Sequence, residues 1–298
     1  MSKKNELKRI SALKEFKVLT EQYIRILLSD RKNLVVSFMF PVVAAAIEIF
    51  IAGKDMFYTF ENTKSGCFVL VSSAIWGGLF NSIQAIVRDR NNVKRQYVTG
   101  VRFYCYTLSR VTVQMGICFI QSFVLTMSFF GISFFRDRNL PSQGILFSNI
   151  YFELYITIFL LMFASDMLGL MISCIVRKTE TANVMAPYIL IVQLIFSGIL
   201  FKLEDTSKII SYMMLSRWGM EGLGSSCDVN RYPLRIERSS KMKPVFKAFP
   251  DLDLSNTDSM FSHSSEHLLK VWVIMLIFSI FFILIGDLIL HRVSKDTR

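Results

Sequence analysis

The chain has 298 residues, of which 52% are hydrophobic and 19% charged, with a mean hydropathy of +0.43 and a formal net charge of +11. Several runs of eighteen or more mostly apolar residues exclude an ordinary soluble domain and indicate transmembrane helices, which need about 20 residues to cross the hydrocarbon core. In a membrane protein the positive charge favours basic cytoplasmic loops, so nucleic acid is not an expected partner.

The first predicted element lies in a polar, basic segment, residues 1–33, which shows no signal-peptide pattern. Within it, Leu13–Leu28 repeats apolar residues at helical spacing with Lys and Arg between them, which predicts an amphipathic helix. Such a helix can lie in the membrane–water interface or pack on protein, and the sequence leaves both alternatives open.

Six apolar segments follow, and we interpret each as one membrane span. The predicted spans are 34–51, 66–87, 104–130, 150–176, 182–201 and 268–290. This divides the chain into the N-terminal segment, the first five spans (34–201), a polar loop segment (202–267) and the last span with its tail (268–298). The predicted fold class is an all-α polytopic membrane protein with six transmembrane helices.

The distribution of basic residues predicts the orientation of these spans. Residues 1–33 and 88–103 carry nine and five Lys or Arg, whereas residues 53–64 and 132–149 carry two each. The positive-inside rule therefore places both termini and the charged stretch Ile86–Gln96 in the cytoplasm. A multi-pass protein of the plasma membrane is expected, with residues 202–267 outside.

The sequence lacks the common motifs for catalysis, nucleotide binding and metal binding. It contains no GxxxxGK[ST] phosphate loop, HExxH, GxSxG or GxGxxG, and none of its five cysteines forms a CxxC pair. We therefore expect no catalytic residue, no metal and no cofactor bound by this chain, and we do not expect an enzyme.

Several ionisable residues lie inside predicted spans, where charges are costly and often functional. Glu48 and Asp287 lie near span ends and can reach interfacial water, whereas Asp166 and Arg110 need a separate explanation. For Asp166, midway along the fourth span, a helix–helix hydrogen bond beside Ser165 and Gly169 is favoured over a functional role. Arg110, early in the third span, is expected to reach toward the cytoplasmic interface.

The second span has a stripe of aromatic and amide side chains on one helical side, at Trp76, Phe80, Asn81 and Gln84. Such a stripe suits an amphipathic substrate in a cavity. It suits packing between helices equally well, and the residues alone do not decide between the two.

Five local patterns in chain order carry a resemblance to a known family. They are LTEQYIRILLSDR at Leu19–Arg31, RDRNNVKRQ at Arg88–Gln96, YTLSR at Tyr106–Arg110, IFSGIL at Ile195–Leu200 and SRWGMEGLGSSCDVN at Ser216–Asn230. Together they resemble the membrane half of G-subfamily ABC transporters, and more closely the bacterial ABC-2 type permeases without a fused ATPase domain.

The resemblance implies a permease subunit of an ATP-driven exporter that works by alternating access. Two such units, identical or similar, would pair in the lipid bilayer around a central path for an amphipathic or hydrophobic substrate (peptide, lipid or drug). A separate ABC ATPase subunit would bind ATP and Mg²⁺. The resemblance also implies that Leu13–Leu28 is a connecting helix, that a short cytoplasmic coupling helix occupies residues 88–100, and that re-entrant helices and an external loop precede the last span.

The resemblance assigns roles to individual residues. The second and fifth spans would line the substrate path with Trp76, Phe80, Asn81, Gln84, Tyr188, Gln193 and Phe196. An apolar outer gate would consist of Ile199 and Leu200. Contact with the ATPase would involve Arg88, Asp89, Arg90, Lys94, Arg95 and Gln96, where Gln96 departs from the glutamate that the family often has.

Two questions stay open at this point. Cys227 stands alone in the loop segment, and it can be a free thiol, a partner of Cys67 or part of an intermolecular bridge. A non-transporting membrane sensor or assembly subunit is the alternative function, and a lipid-modifying enzyme is disfavoured because no polar catalytic cluster is visible.

Overall fold

The computed structural model describes residues 11–51, 57–98, 100–135, 143–199, 205–232 and 259–295, and these ranges are helical with no strand. We number their α-helices in chain order. They are α1 (Ala12–Ser29), α2 (Arg31–Ile51), α3 (Phe60–Ser82), α4 (Arg90–Val98), α5 (Phe103–Phe135), α6 (Ile150–Ile175), α7 (Thr179–Ile195), α8 (Asp205–Ser211), α9 (Leu215–Ser226) and α10 (Ser265–Lys295).

Four of the described helices are long and apolar enough to cross a membrane: Phe60–Ser82, Phe103–Gly131, Ile150–Ile175 and Ser265–Arg292. The described apolar part of α2, Leu34–Ile47, is shorter, and α7 has 17 residues. The predicted class, a helical protein with several membrane-spanning helices, is confirmed in this coarser form.

Helix α6 lies at the centre of the bundle. Most of its side chains are buried, and it packs against α3, α5, α9 and α10. Helix α10 has the highest mean hydropathy of the four spans, 2.9, yet most of its surface is exposed. An exposed apolar helix of this length suits contact with lipid, whereas a buried one belongs to the protein core.

Glycines allow α3 and α6 to touch through their backbones. A Cβ atom added to Gly78 would lie 2.1 Å from the carbonyl oxygen of Met162, and one added to Gly169 would lie 2.7 Å from that of Leu79. Small residues at such contacts let membrane helices approach closely, which van der Waals packing then stabilises. The crossing holds the centre of α3 in a fixed place.

Helix α1 packs along α5 and also keeps an exposed apolar surface. Leu19 and Tyr23 are buried, whereas Leu13, Val18 and Leu28 are exposed. The helix predicted at Leu13–Leu28 is confirmed, and it uses one side for protein contact while the other remains available to the membrane interface.

The end of α3 differs from the predicted second span. The helix ends at Ser82 instead of continuing to Val87, and residues 83–89 form consecutive turns. The hydroxyl oxygen of Ser173, on α6, accepts hydrogen bonds from the backbone N–H groups of Ile86 and Val87, at 2.9 and 3.0 Å. These bonds satisfy backbone donors in the turns, so the helix can end inside a buried region.

Helix α9 is buried along its whole length, and it packs against α3, α6 and α10. A Cβ atom added to Gly222 would lie 2.8 Å from the methyl group of Thr157, and one added to Gly224 would lie 2.3 Å from the ring of Phe261. These two glycines therefore set how closely α9 sits against its neighbours.

Candidate substrate path and coupling segment

Two aromatic residues of the predicted path lie exposed on α3. The side chains of Trp76 and Phe80 are 37% and 45% exposed, and their ring centroids are 5.6 Å apart at an interplanar angle of 44°. The rings are one helical turn apart on the same side of α3. They form an apolar surface that a lipid chain, a substrate or another protein surface can cover.

Asn81 points away from this surface into a buried amide network. Its side-chain nitrogen donates to the side-chain oxygen of Gln121 on α5 at 2.5 Å, and its oxygen accepts from the hydroxyl of Ser37 on α2 at 3.0 Å. The Gln121 nitrogen also donates to the Ser37 hydroxyl at 2.5 Å. Asn81 therefore holds three helices together through hydrogen bonds.

Gln84 lies in the turns after α3 and not on the helix itself. Its side-chain nitrogen donates a hydrogen bond to the side-chain oxygen of Asn183, which is on α7. The predicted stripe of four residues is therefore divided: the two aromatic rings share an exposed face, and the two amides connect α3 and the following turns to other helices.

The three predicted path residues of the fifth span also lie in different surroundings. On α7, Tyr188 is 66% exposed, whereas Gln193 is buried. The Gln193 side-chain oxygen accepts a hydrogen bond from the backbone N–H of Ser216 at 3.1 Å, and the Ser216 hydroxyl donates to the Gln193 carbonyl. Gln193 thereby ties the end of α7 to the start of α9. Phe196 is half-buried in the turn that ends α7.

Of the two predicted gate residues, Ile199 is half-buried and packs against the hydrophobic core. Leu200 lies outside the described residues.

Helix α4 lies within the predicted coupling segment, residues 88–100. Three charged residues at its start contact three other parts of the chain. Arg88 pairs with Asp30 at the end of α1, with 3.5 Å between its Nη1 atom and the Oδ2 atom. The guanidinium of Arg90 donates to the carbonyl oxygen of Val176, just after α6, at 2.5 Å.

The third contact joins Asp89 to Arg110 on α5, with 3.0 Å between the Oδ2 and Nη2 atoms. The Arg110 guanidinium carbon lies 3.7 Å from the ring centroid of Tyr23, on α1, and 4.7 Å from that of Tyr106. Arg110 is buried between these rings, where cation–π attraction and an ion pair offset the loss of hydration. The rings and Asp89 enclose the guanidinium, and Asp89 lies in the turn before α4, the segment predicted to be cytoplasmic. The expectation that Arg110 reaches toward the cytoplasmic interface stays a prediction.

Burial of Tyr23 is the main cause that raises the pKa of its phenol above the usual value, and the Arg110 cation acts in the opposite direction. The phenol is therefore protonated at neutral pH, and its oxygen accepts a hydrogen bond from the side-chain nitrogen of Gln114 at 3.1 Å. Helix α1 is thus attached to α5 at the same end of the bundle where α4 begins.

The remaining residues of the coupling segment present a different surface. Arg95 is exposed, while Gln96 is half-buried. The backbone carbonyl oxygen of Gln96 accepts a hydrogen bond from the backbone N–H of Val101 at 3.1 Å. The side chain of Lys94 lies outside the described residues. On the other side of the segment, the Glu15 carboxylate accepts the backbone N–H of Arg102 at 2.5 Å, a second connection to α1.

Asp166 makes the helix–helix contact that the sequence favoured. The thiol of Cys118, on α5, lies 3.0 Å from its Oδ2 atom, and the hydroxyl of Ser82 donates to its backbone carbonyl. Ser165 next to it donates to the carbonyl of Ile75 at 2.8 Å. Asp166 thus sits where α3, α5 and α6 meet.

A buried ion pair at the other end of the bundle was not predicted. Within α9, the Arg217 Nε atom donates to the Glu221 carboxylate at 3.0 Å, and the guanidinium carbon lies 4.1 Å from the ring centroid of Tyr212. The Glu221 carboxylate also lies 3.9 Å from His267 at the start of α10. Burial raises the pKa of Glu221, while Arg217 lowers it. The i,i+4 spacing in SRWGMEG is the signal that could have revealed this pair.

Among the residues that the structure describes, no group of three or more His, Cys, Asp or Glu side chains could hold a metal ion. Buried polar side chains such as Asn81, Ser173 and Gln193 bond to other helices or to backbone groups, which positions those helices.

Comparison with known protein families gives an independent assignment. The profile of the ABC-2 type transporter family matches residues 14–226, which is most of the chain. The chain belongs to the ABC-2 type transporter family. It is also similar to an ABC transporter ATP-binding/permease protein of Mycobacterium tuberculosis, with 23% identity over 230 residues; the match covers 74% of this chain and 26% of that protein.

The part that matches the ABC-2 type transporter family begins in α1 and ends at Ser226, the last residue of α9. It therefore includes α4, the contacts of Arg88, Asp89 and Arg90, and the buried Arg217–Glu221 pair. Within this ABC-2 permease, the residues predicted for coupling lie together at one end of the bundle, whereas those predicted for the path are spread over an exposed face and two buried networks.

Proposed function

We propose that this chain is the permease subunit of an ATP-driven ABC exporter, which moves an amphipathic or hydrophobic substrate such as a peptide, lipid or drug out of the cell by alternating access. Two chains, identical or similar, pair around the path, and a separate ABC ATPase subunit holds ATP and Mg²⁺. Membership of the ABC-2 type transporter family supports a permease rather than an enzyme.

The proposed topology uses six spans, formed by α2, α3, α5, α6, α7 and α10, in the plasma membrane. Both termini and α4 lie in the cytoplasm, and α8 and α9 enter the outer side as re-entrant helices. The excess of Lys and Arg in residues 1–33 and 88–103 supports this orientation. The complete burial of α9, which has 12 residues, supports a helix that enters the bundle without crossing it.

For the substrate path, we propose that Trp76, Phe80 and Tyr188 contact the substrate directly. All three rings are exposed in the single chain, and an aromatic surface suits an amphipathic molecule. Asn81, Gln84 and Gln193 instead position the helices that carry these rings, since their side chains bond to other parts of the chain. Phe196 joins the path at its outer end, and Ile199 and Leu200 close it.

The observation that carries the mechanism is the set of contacts made by Arg88, Asp89 and Arg90 with α1, α5 and the end of α6. A displacement of α4 by the ATPase is transmitted through these contacts to three helices at once. Exposed Arg95, together with Lys94 and Gln96, forms the surface that meets the ATPase. ATP shifts the equilibrium to the outward state because the closed ATPase pair fits only that position of α4.

The test is to purify the tagged full chain from its source membranes, identify co-purifying proteins by mass spectrometry and measure ATP hydrolysis in lipid vesicles. We expect an ABC ATPase subunit to co-purify. The double variant Arg90→Ala, Lys94→Ala should lower substrate-stimulated ATP hydrolysis at least fivefold. The matched control Arg292→Ala removes an exposed cation at the end of α10 and should leave the rate unchanged.

Two results would contradict this mechanism. If no ATPase co-purifies, the sensor or assembly function is favoured over transport. If the double variant keeps full ATPase stimulation and transport, α4 is not the coupling element.

A further inference from the structure

Helix α1 lies across the end of the bundle where α4 begins. The carbonyl oxygen of Ala12, its first residue, lies 3.6 Å from the thiol of Cys105, in the first turn of α5. At the other end of α1, Asp30 pairs with Arg88, just before α4. The 18 residues of α1 extend about 27 Å. Since both of its ends contact the same end of the bundle, α1 crosses that end and does not follow a span.

The length of α5 places this end of the bundle among the lipid headgroups. Helix α5 has 33 residues and is about 50 Å long, whereas the hydrocarbon core is about 30 Å thick. About 20 Å of the helix therefore extends beyond the core. Arg102 and Arg110 lie near its start, whereas residues 129–135 near its end are mostly apolar. This asymmetry favours an extension at the start of α5, where α1 packs.

One exposed row of α1 is apolar and contains a single lysine. Leu13, Ile24 and Leu28 are 77%, 40% and 61% exposed. Their spacing places them, together with Lys17, on one side of the helix. The buried residues of α1 lie on a different side, against α5. An exposed row of this composition suits acyl chains, and the lysine stem can extend along them to a headgroup.

Two lysines carry the positive charge of this surface. Lys14 and Lys17 are both exposed and three residues apart, so their side chains are neighbours. Among the described residues, neither has an ion-pair partner. Both acidic residues of α1 are already engaged: Glu21 pairs with Arg25 at 2.6 Å, and the Glu15 carboxylate accepts a backbone N–H of the segment before α5. The surface therefore attracts a negatively charged partner.

We propose that the surface formed by Leu13, Lys14, Lys17, Ile24 and Leu28 binds an anionic phospholipid of the cytoplasmic leaflet. The two ammonium groups contact the headgroup, and the three apolar side chains contact acyl chains. A zwitterionic phospholipid also has a phosphate, but the lysines repel its headgroup cation, so the anionic lipid binds better. The proposal rests on the orientation given under Proposed function, which places α1 on the cytoplasmic side.

Lipid binding at α1 has a consequence for the coupling segment. Asp30 at the end of α1 pairs with Arg88, and the ring of Tyr23 lies against the Arg110 guanidinium that holds Asp89. A lipid that holds α1 in place therefore also stabilises two contacts of the turn before α4. The content of anionic lipid in the cytoplasmic leaflet then acts on the segment that is proposed to meet the ATPase.

Quenching of a fluorophore on α1 tests the proposal. The five cysteines of the chain, Cys227 among them, are free and buried. A bimane label can therefore be placed on the folded full chain at Val18→Cys, an exposed position outside the proposed lipid contacts. The labelled chain is reconstituted in phosphatidylcholine vesicles. These contain a small, equal fraction of phosphatidylglycerol or phosphatidylcholine with a nitroxide near the headgroup. Wild-type chain, labelled in parallel, gives the background.

The anionic nitroxide lipid should quench the label more strongly than the zwitterionic one, by about twofold or more, because basic residues concentrate anionic lipid around α1. The variant Lys14→Gln, Lys17→Gln should lose this preference, and high salt should weaken it in the parent chain. The matched control Lys14→Arg, Lys17→Arg keeps both charges and should keep the preference.

Three results would overturn the proposal. Equal quenching by the two lipids in the chain with both lysines shows that α1 does not select anionic lipid. A preference that survives in the glutamine variant shows that Lys14 and Lys17 do not bind the headgroup. Absence of quenching by either lipid shows that this side of α1 faces water or protein, such as the ATPase or a second copy of the chain.

The measurement requires neither ATPase nor transport, so its outcome is separate from that of the proposed function. Equal quenching in a chain that co-purifies with an ABC ATPase contradicts lipid binding alone. A preference for anionic lipid in a chain without an ATPase contradicts the proposed transport function alone.

Discussion

Two arginine–carboxylate pairs, each with a buried guanidinium, lie at opposite ends of the bundle. Arg110 pairs with Asp89 where α3 ends, and Arg217 pairs with Glu221 where α3 begins, both at 3.0 Å. Each guanidinium also lies against a tyrosine ring, at 3.7 Å from Tyr23 and 4.1 Å from Tyr212. The chemistry of the two pairs is the same, but their connections are not.

The Arg110–Asp89 pair joins α5 to the turn before α4, so it connects two different elements. Arg217 and Glu221 lie four residues apart on one helix, so their ion pair lies within α9. Its contacts with other elements are a hydrogen bond from Arg217 to the hydroxyl of Ser211 on α8 and the approach of His267 to Glu221. We propose that the first pair transmits motion of α4, whereas the second mainly neutralises charges that α9 carries into the bundle. Burial also differs: the Glu221 side chain is 5% exposed and that of Asp89 is 21% exposed.

The largest loss of stability is expected for Arg217→Met. The variant leaves the Glu221 carboxylate buried without its cation, and breaking a buried pair by removing one partner costs about 3 kcal/mol. The free energy of unfolding, measured by denaturant titration in mixed micelles at pH 7.5, should fall by about this amount. An unchanged value would show that Glu221 is neutral or hydrated in the folded protein.

The same variant should have a pH-dependent defect. Burial already raises the pKa of Glu221 in the folded protein, and removal of Arg217 removes an interaction that lowers it. A raised folded-state pKa means that stability increases as pH falls toward that pKa, because the folded state binds the proton more tightly. The loss in free energy of unfolding, relative to wild type, should therefore be smaller at pH 5 than at pH 7.5.

The control for this pH effect is Arg217→Met combined with Glu221→Gln. The amide cannot titrate, so the difference in free energy of unfolding between the double variant and wild type should change less between pH 7.5 and pH 5 than that of Arg217→Met. If the loss in free energy of unfolding became smaller at pH 5 by the same amount in both variants, a group other than Glu221 would be the one that titrates.

A smaller loss of stability, about 2 kcal/mol, is expected for Arg110→Met, because Asp89 can recover part of its hydration. The functional loss should be larger than for Arg217→Met. Without the ion pair, the turn before α4 is no longer fastened to α5, and substrate-stimulated ATP hydrolysis in lipid vesicles should drop at least tenfold. Retained stimulation would show that Arg88 and Arg90 transmit the motion without this pair.

Two conservative amide variants sharpen the comparison. Asp89→Asn and Glu221→Gln each remove one charge and keep the shape of the side chain. Each leaves a buried guanidinium without its counter-ion but keeps an oxygen that accepts its hydrogen bond, so each should cost about 2 kcal/mol in stability. Only Asp89→Asn should reduce the coupling of ATP hydrolysis to transport, measured as substrate moved per ATP hydrolysed. Equal loss of coupling in both variants would contradict the distinction between a connecting pair and a neutralising pair.

The smallest effect is expected for Arg25→Ala. Arg25 pairs with Glu21 on α1 at 2.6 Å, but the two side chains are 77% and 58% exposed. Exposed i,i+4 pairs contribute about 0.3–0.5 kcal/mol, because water and salt screen the charges. The midpoint of thermal unfolding should barely change. A change as large as that of Arg110→Met would mean that burial does not determine how strongly an ion pair stabilises this protein.

Much of the helical fold could be predicted from the sequence, since the apolar runs of α3, α5, α6 and α10 follow directly from composition and length. The amphipathic α1 also follows from its periodicity. The end of α3 could not be predicted, because apolar Ile83, Ile86 and Val87 continue the run that begins in the helix. What stabilises the turns is the hydroxyl of Ser173, which is distant in sequence.

The candidate site was predictable only in part for a similar reason. The mixed charges of residues 88–96 indicated a contact surface, but sequence could not show that Asp89 is already paired with Arg110 in the same chain. Likewise, Asn81 fits an aromatic stripe by helical spacing, yet Gln121 and Ser37 draw its side chain into a buried network. Polar side chains in a membrane protein find partners on other helices, and those pairings depend on tertiary structure.

The burial of α9 also constrains the order in which the protein can be assembled. At about 1.5 Å per residue, its 12 residues extend about 18 Å, too short to cross a hydrocarbon core of about 30 Å by themselves. Helix α9 packs partly against α10, and α10 is synthesised after α9. Helix α9 therefore reaches its final position only after the C-terminal helix has been inserted, and a chain that stops before Ser265 would leave α9 without its complete packing surface.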